Sequence, residues 1–154
     1  MRIYEATEPS DLLAEAFARL LPQLSERMTA PDREAVARIV ASPATRQLVA
    51  AAEDGRIVGL LSVALYDVPS GRKAWIEDVV VDAAARGRGI GEALVREALA
   101  LARREGVARV MLTSNATRRA AHRLYERMGF VRYETDCFRL DPVSYTHLTL
   151  PTIR

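Results

Sequence analysis

The run Arg86-Gly87-Arg88-Gly89-Ile90-Gly91 lies between a valine-rich stretch and an amphipathic one, and its residue types suit the holding of an anion. A strand leading into such a loop and then into a helix gathers several unpaired backbone N–H groups at the positive end of the helix dipole. Glycines matter there because a Cβ would hold phosphate oxygens off the amides and because some positions need φ > 0. Arg86 and Arg88 add charge to the same spot. The bland alternative is a glycine-rich turn that only caps a helix. Just upstream, Glu77 and Asp78 are embedded among Trp75, Ile76, Val79, Val80 and Val81, an odd place for two carboxylates. Solubility at a strand edge would account for such a pair, and so would acid–base work. Neighbours on a strand point to opposite faces, so only one of the two is expected at a shared site.

Two familiar phosphate loops do not fit. A mononucleotide P-loop needs Gly-x-x-x-x-Gly-Lys-Ser/Thr, and the sole lysine, Lys73, stands upstream of the glycines. A dinucleotide site needs Gly-x-Gly-x-x-Gly near the front of a repeated βαβ scaffold, with an acidic residue about 20 positions later. Other reactive types are sparse. There is no Gly-x-Ser-x-Gly elbow, the lone Cys137 reads as a packing residue, and His122 reads as a solvated or supporting helix residue. Asp82 reads as the end of its strand.

The elements that must position these residues follow from periodicity. Residues 2–6 read as a strand, and Ser10 can cap the helix that follows, whose apolar face is Leu12, Leu13, Ala16, Phe17, Leu20, Leu21 and Leu24. Thr29-Ala30-Pro31-Asp32 has the form of a capping box opening a helix to about Val40. Residues 48–52 and 57–65 read as a hairpin about Asp54-Gly55, and 75–82 as a further strand after the turn Pro69-Ser70-Gly71. Ile90, Leu94, Ala98 and Leu101 mark a buried helix face closed by Gly106. Residues 110–113 read as a strand, Ala120, Ala121, Leu124, Tyr125 and Met128 as a helix face ended by Gly129, and 130–133 and 137–140 as a last pair of strands.

At 154 residues with a net charge of +2, the chain fits one domain with one core. Its bases are scattered without the dense stripe of a nucleic-acid binder. One cysteine excludes an internal disulfide, and two distant histidines offer no metal cluster. No apolar run approaches the ~20 residues of a membrane span, and the N-terminus does not read as a signal peptide. These features point to a cytoplasmic protein with neither a nucleic-acid nor a membrane partner. The domain is expected over 1–141. Residues 142–154, VSYTHLTLPTIR after Pro142, change character and read as a non-native or disordered tail.

The stretch WIEDVVVDAAARGRGIGEAL resembles the cofactor-binding motif of the GNAT superfamily of acyl-CoA-dependent N-acyltransferases, with Arg86, Gly89 and Gly91 at its fixed positions. Downstream, Asn115 and AAHRLYERMGF resemble the second motif of the same superfamily. The resemblance implies an α+β fold: a mostly antiparallel twisted sheet of about six to seven strands flanked by about four helices. It also implies acetyl-CoA as cosubstrate, no metal, a ternary complex, and direct transfer of the acetyl group to a primary amine, with a small molecule as the expected acceptor and a homodimer as one possible assembly.

The same resemblance assigns roles. Backbone groups of Val79, Val80 and Val81, freed where the fourth strand splays from the fifth, would bind the pantetheine arm, and residues 86–91 the pyrophosphate. Asn115 would bond the pantetheine amides, although a plain helix cap would look the same in sequence. Glu77 is the candidate base, with Asp78 its rival, and Tyr125 the candidate partner of the leaving thiolate, although it also lies on an apolar helix stripe. A degenerate member that binds acyl-CoA as a sensor or partner-binding module is the alternative from another class.

Overall fold

The computed structural model describes residues 1–145. Five strands, β1 (Arg2–Ala6), β2 (Thr45–Ala51), β3 (Ile57–Val68), β4 (Gly71–Val81) and β5 (Arg109–Met111), form one sheet in sequence order. The first four run antiparallel to their neighbours, and β5 joins β4 in parallel. Four helices cover it: α1 (Asp11–Leu24), α2 (Arg33–Ala41), α3 (Ile90–Arg104) and α4 (Arg119–Arg127). Among the described residues no helix is long and apolar enough to cross a membrane.

Strand alternation splits the interior into two layers. Leu48 and Ala50 face α3 with Leu94, Val95 and Ala98, whereas Val49 faces α1 with Leu13, Phe17 and Leu20. The start of β3, Ile57 to Leu61, is buried throughout because both sheet faces are covered there. Gly59 sets how closely α3 can approach: a Cβ at that position would lie 3.0 Å from Leu94 Cδ1 and 3.1 Å from Ile90 Cγ2. The helix carrying the glycine loop is thereby seated directly on the sheet.

Several expectations hold locally. The Ser10 hydroxyl accepts from Leu13 N at 3.1 Å and caps α1, although Leu12 faces solvent. The second cap differs from the expected box. Asp32 itself is the N-cap, accepting from Ala35 N at 2.8 Å, so Pro31 precedes the helix and Thr29 plays no capping part.

The last pair of strands is a correction. Residues 130–133 and 137–140 pair with no strand among the described residues, and the sheet has five strands where six to seven were expected. Their apolar side chains lie largely in solvent, Val131 at 86% and Phe138 at 91% exposure. Without a covering layer there is no apolar burial to offset the ordering of those strands. Cys137, expected to pack, is exposed for the same reason. Pro142–Tyr145 forms a short 3-10 turn, and the rest of the expected tail, 146–154, lies outside the described residues.

Candidate active site

The geometry of the site begins with a divergence. β4 pairs with β5 only at Lys73, Ala74 and Trp75, opposite Arg109, Val110 and Met111. Beyond Trp75 the strands separate, and the edge of β4 from Ile76 to Val81 opens into a cavity of about 650 Å³. That volume lies within the ~300–1,000 Å³ typical of ligand sites. Val79, Val80 and Val81 line it on one side, Leu112, Thr113, Ser114 and Asn115 on the other.

At one end of the cavity is the glycine loop. Gly87 and Gly89 sit at φ +81° and +77°, and an added Cβ at either would meet nothing within 4 Å. The glycines are therefore required by left-handed backbone and leave room for a ligand, not for protein packing. Gly89 is the N-cap of α3 and supplies no capping side chain. The first backbone N–H of α3 to donate within the protein is that of Ala93, to the Gly89 carbonyl at 3.0 Å, which leaves the amides at the helix start, residues 89–92, open to a ligand. Basic Arg103 and Arg104 complete the helix dipole at the far end. The loop therefore fits the diphosphate of an acyl-CoA: free amides, a positive dipole end and a surface that a side chain would fill.

Gly87, Gly89, Ile90 and Gly91 all line the cavity, as does Arg86. The Arg86 guanidinium donates to the Val81 carbonyl at 3.2 Å, tying the loop to the splayed strand. Arg88, counted with them from sequence, is exposed and does not line the cavity. Asn115 does. Its side-chain oxygen accepts from Thr117 N and Oγ1 at 3.0 and 2.9 Å, leaving its amide hydrogens as the groups available to a ligand. It does not cap α4, whose N-cap is Arg118.

Glu77, Asp78 and Tyr125 line the same cavity. β4 carries a bulge here: Leu60 faces Val80 and Ser62 faces Glu77, so Asp78 and Val79 together oppose Leu61. Asp78 takes φ +50° and is the one non-glycine residue with positive φ among those described. Asp and Asn tolerate that conformation better than other side chains do. The bulge overturns the expectation that strand alternation sends the two carboxylates to opposite sides, because both line the same cavity. It also shifts the strand's phase, so Val79 and Val81 pack toward α3 while Val80 packs toward α1.

Desolvation pushes the Glu77 carboxyl above its ordinary range, and the adjacent Asp78 charge adds to the effect. Desolvation raises Asp78 as well. Tyr125 is held on α4 by an edge-to-face contact with Phe130, ring centroids 5.8 Å apart. Burial raises its phenol above the usual value, partly countered by Arg118. His122, one turn earlier on α4, is half-buried with no partner for Nε2, and it does not line the cavity.

Sequence reasoning missed the part α1 plays. Gln23 and Leu24 line the cavity, and four contacts hold them there. Arg19 donates to Asp82 at 3.0 Å and to the Ile57 carbonyl at 2.8 Å. Gln23 accepts from Ala83 N at 2.8 Å, and Arg118 donates to the Leu24 carbonyl. Asp82 in turn accepts from Ala84 N at 3.1 Å, capping the turn before the loop. The signal was too dispersed to find, since the partners of α1 lie 38 to 94 residues away. Among the described residues no group of three or more His, Cys, Asp or Glu could hold a metal ion.

Residues 9–130 match the acetyltransferase (GNAT) family, and the chain belongs to that family of acyltransferase enzymes. It is 36% identical over 127 residues to glucosamine 6-phosphate N-acetyltransferase 1 of Oryza sativa subsp. japonica, covering 77% of this chain and 75% of that one. It is 36% identical over 95 residues to a mycothiol acetyltransferase of Thermomonospora curvata, covering 62% of this chain and 31% of that protein, so the chain matches about a third of that relative's length. A solved acetyltransferase of Trypanosoma brucei superposes with a TM-score of 0.74 at 30% identity, over 91% of this chain and 98% of that one.

Proposed function

We propose that this chain transfers an acetyl group from acetyl-CoA to the primary amine of a small molecule, with both substrates bound at once. One observation carries the reading: a single cavity is lined by the glycine loop at the start of α3, the splayed edge of β4, Glu77 and Tyr125. Relatives named for glucosamine 6-phosphate and mycothiol support a small amine as the acceptor class. Direct transfer is favoured because the lone cysteine, Cys137, is exposed and outside the cavity.

When bound, acetyl-CoA supplies an activated thioester, and the protein supplies orientation and charge. The glycine loop fixes the diphosphate, and the β4 edge holds the arm and directs amides toward the thioester carbonyl, where each well-aimed donor contributes a few kcal/mol. Glu77 takes the proton from the amine. An ammonium near ~10.4 facing a carboxylate near ~4.3 is uphill by about 8 kcal/mol, so the upward displacement of Glu77 by desolvation narrows the gap. Tyr125 hydrogen-bonds the leaving sulfur. Its raised phenol makes full proton donation harder and keeps the hydroxyl protonated at neutral pH.

The test is thiol release from acetyl-CoA with a panel of amino sugars, polyamines, aminoglycosides and peptides. Release that depends on the amine is the expected result. Tight acetyl-CoA binding with no turnover across the panel would instead identify an acyl-CoA sensor.

A further inference from the structure

We infer that the acceptor is a cationic amine carrying no phosphate or carboxylate of its own. The inference rests on the proposed acetyl transfer and concerns a second cavity, of about 390 Å³, between the sheet, α1 and the segment leading into α2. This cavity and the larger one share two lining residues, Glu77 and Asp78. The bulge thus places both carboxylates at the junction between the acyl-donor side and a chamber of its own.

The chamber is apolar over much of its wall, with Phe17, Leu21, Met28 and Ile39 contributing. Among the described residues, no Lys, Arg or His lines it. Its two carboxylates also stand without an ion-pair partner among the described residues, whereas Glu5, Asp82, Glu92 and Glu105 are each paired with arginine. Both side chains remain exposed to solvent at the mouth of the chamber, where an incoming ammonium meets two carboxylates and no competing protein cation among the described residues. Desolvation already lifts both groups out of their ordinary range, as expected where no cation offsets it.

An anion on the acceptor finds little to hold it. Gln47, the buried polar residue of the chamber, spends its Nε2 on the carbonyls of Leu48 and Leu61 at 3.2 and 3.3 Å, and its Oε1 accepts from Ser62 Oγ at 2.8 Å. Arg86 and Arg118 belong to the larger cavity and already donate to the carbonyls of Val81 and Leu24. Along the same face of β4, Lys73 lies four residues before Glu77, roughly 13 Å away at about 3.3 Å per residue, beyond Trp75, whose indole N–H donates to Tyr66 at 2.8 Å. A phosphate or carboxylate in the chamber would face two like charges and no cation. Discrimination therefore comes from repulsion as well as attraction.

Matched acceptors test this: glucosamine against glucosamine 6-phosphate, and tyramine against tyrosine, each by kcat/KM for thiol release. The member without the anion is expected to be favoured at least tenfold, equivalent to about 1.4 kcal/mol. Asp78→Asn keeps a side chain that tolerates positive φ and is expected to narrow that ratio in both pairs. Equal use of both members, preference for the anionic one, or an Asp78→Asn ratio unchanged from the parent overturns the inference while leaving acetyl transfer intact. No turnover with any of the four, nor with the polyamines, aminoglycosides and peptides of the wider panel, despite acetyl-CoA binding, overturns the transfer reading itself.

Discussion

Replacing Glu77 with Gln removes the proposed proton acceptor while keeping size and hydrogen-bonding shape. Moving a proton from an ammonium near ~10.4 to an ordinary glutamate near ~4.3 costs about 8 kcal/mol, and each unit by which Glu77 is raised returns about 1.4 kcal/mol of that. Its raising has two sources, desolvation first and the Asp78 charge second. With Gln, solvent in the open cavity must take the proton. General-base catalysis is worth roughly 100- to 10,000-fold, and solvent access places the expected loss in kcat near the lower limit, about 100-fold. The assay is thiol release as a function of pH, paired with calorimetry of acetyl-CoA. In the parent, kcat/KM should rise with pH as Glu77 loses its proton, above the ordinary carboxylate range, and rise again as the acceptor amine does. Glu77→Gln should abolish the first rise, keep the second, and leave acetyl-CoA affinity within about twofold, since Glu77 is not part of the glycine loop proposed to hold the diphosphate. An unchanged kcat with the first rise intact would refute the assignment and transfer it to Asp78 or to water.

Three further outcomes follow from the same geometry. Gly89→Glu adds a side chain at φ +77°, a cost of about 1–2 kcal/mol, and sets a negative charge against the diphosphate, so acetyl-CoA affinity should fall at least 30-fold by calorimetry. Tyr125→Phe removes the hydroxyl and keeps the ring against Phe130; kcat should fall roughly tenfold, as expected for one hydrogen bond to a charged group, with KM for the amine little changed. Asp82→Ala removes one of the two carboxylates that Arg19 pairs with, Glu15 remaining at 2.8 Å, and takes away the cap on Ala84 N, so it should lower stability by about 1–2 kcal/mol in urea titrations. The backbone hydrogen bond from Ala84, then Gln23 and Arg19, hold the Asp82 carboxyl below its usual value. Its stabilisation is therefore present above the unfolded pKa of ~3.9 and is lost as pH falls through the folded one, so the gap between parent and variant should close in acid.

What could be read in the sequence is what the chain decides locally. Ser10 caps the helix it precedes, and Gly87 and Gly89 adopt the left-handed backbone that the loop requires. The two carboxylates show the opposite case. Whether Asp78 shares a site with Glu77 depends on the register between β3 and β4 on either side of Leu61, a relation between strands that neither strand carries alone. The 130–140 segment failed for a related reason. Its apolar residues satisfy a strand pattern, but burial needs a partner surface, and local periodicity holds no information about whether one is provided.

The tie between α1 and the glycine loop gives the site its rigidity. Phe17 and Leu21 of α1 form part of the acceptor chamber, while Arg19 and Gln23 of the same helix bind Asp82 and Ala83 at the entrance to the cofactor loop. Arg118 anchors the end of α1 to the start of α4, which carries Tyr125. One helix therefore touches the walls of both cavities and, through Arg118, the helix that carries Tyr125. Placing an amine within reach of a thioester carbonyl requires near-contact precision, and misplacement by about 1 Å can cost roughly 100-fold in rate. The apolar face of α1 supplies its position on the sheet, and the polar residues between those apolar positions supply its alignment with the loop. Apolar packing seats α1 on the sheet, and the Arg19–Asp82 pair and its neighbours add directional contacts that tie it to the turn before the glycine loop.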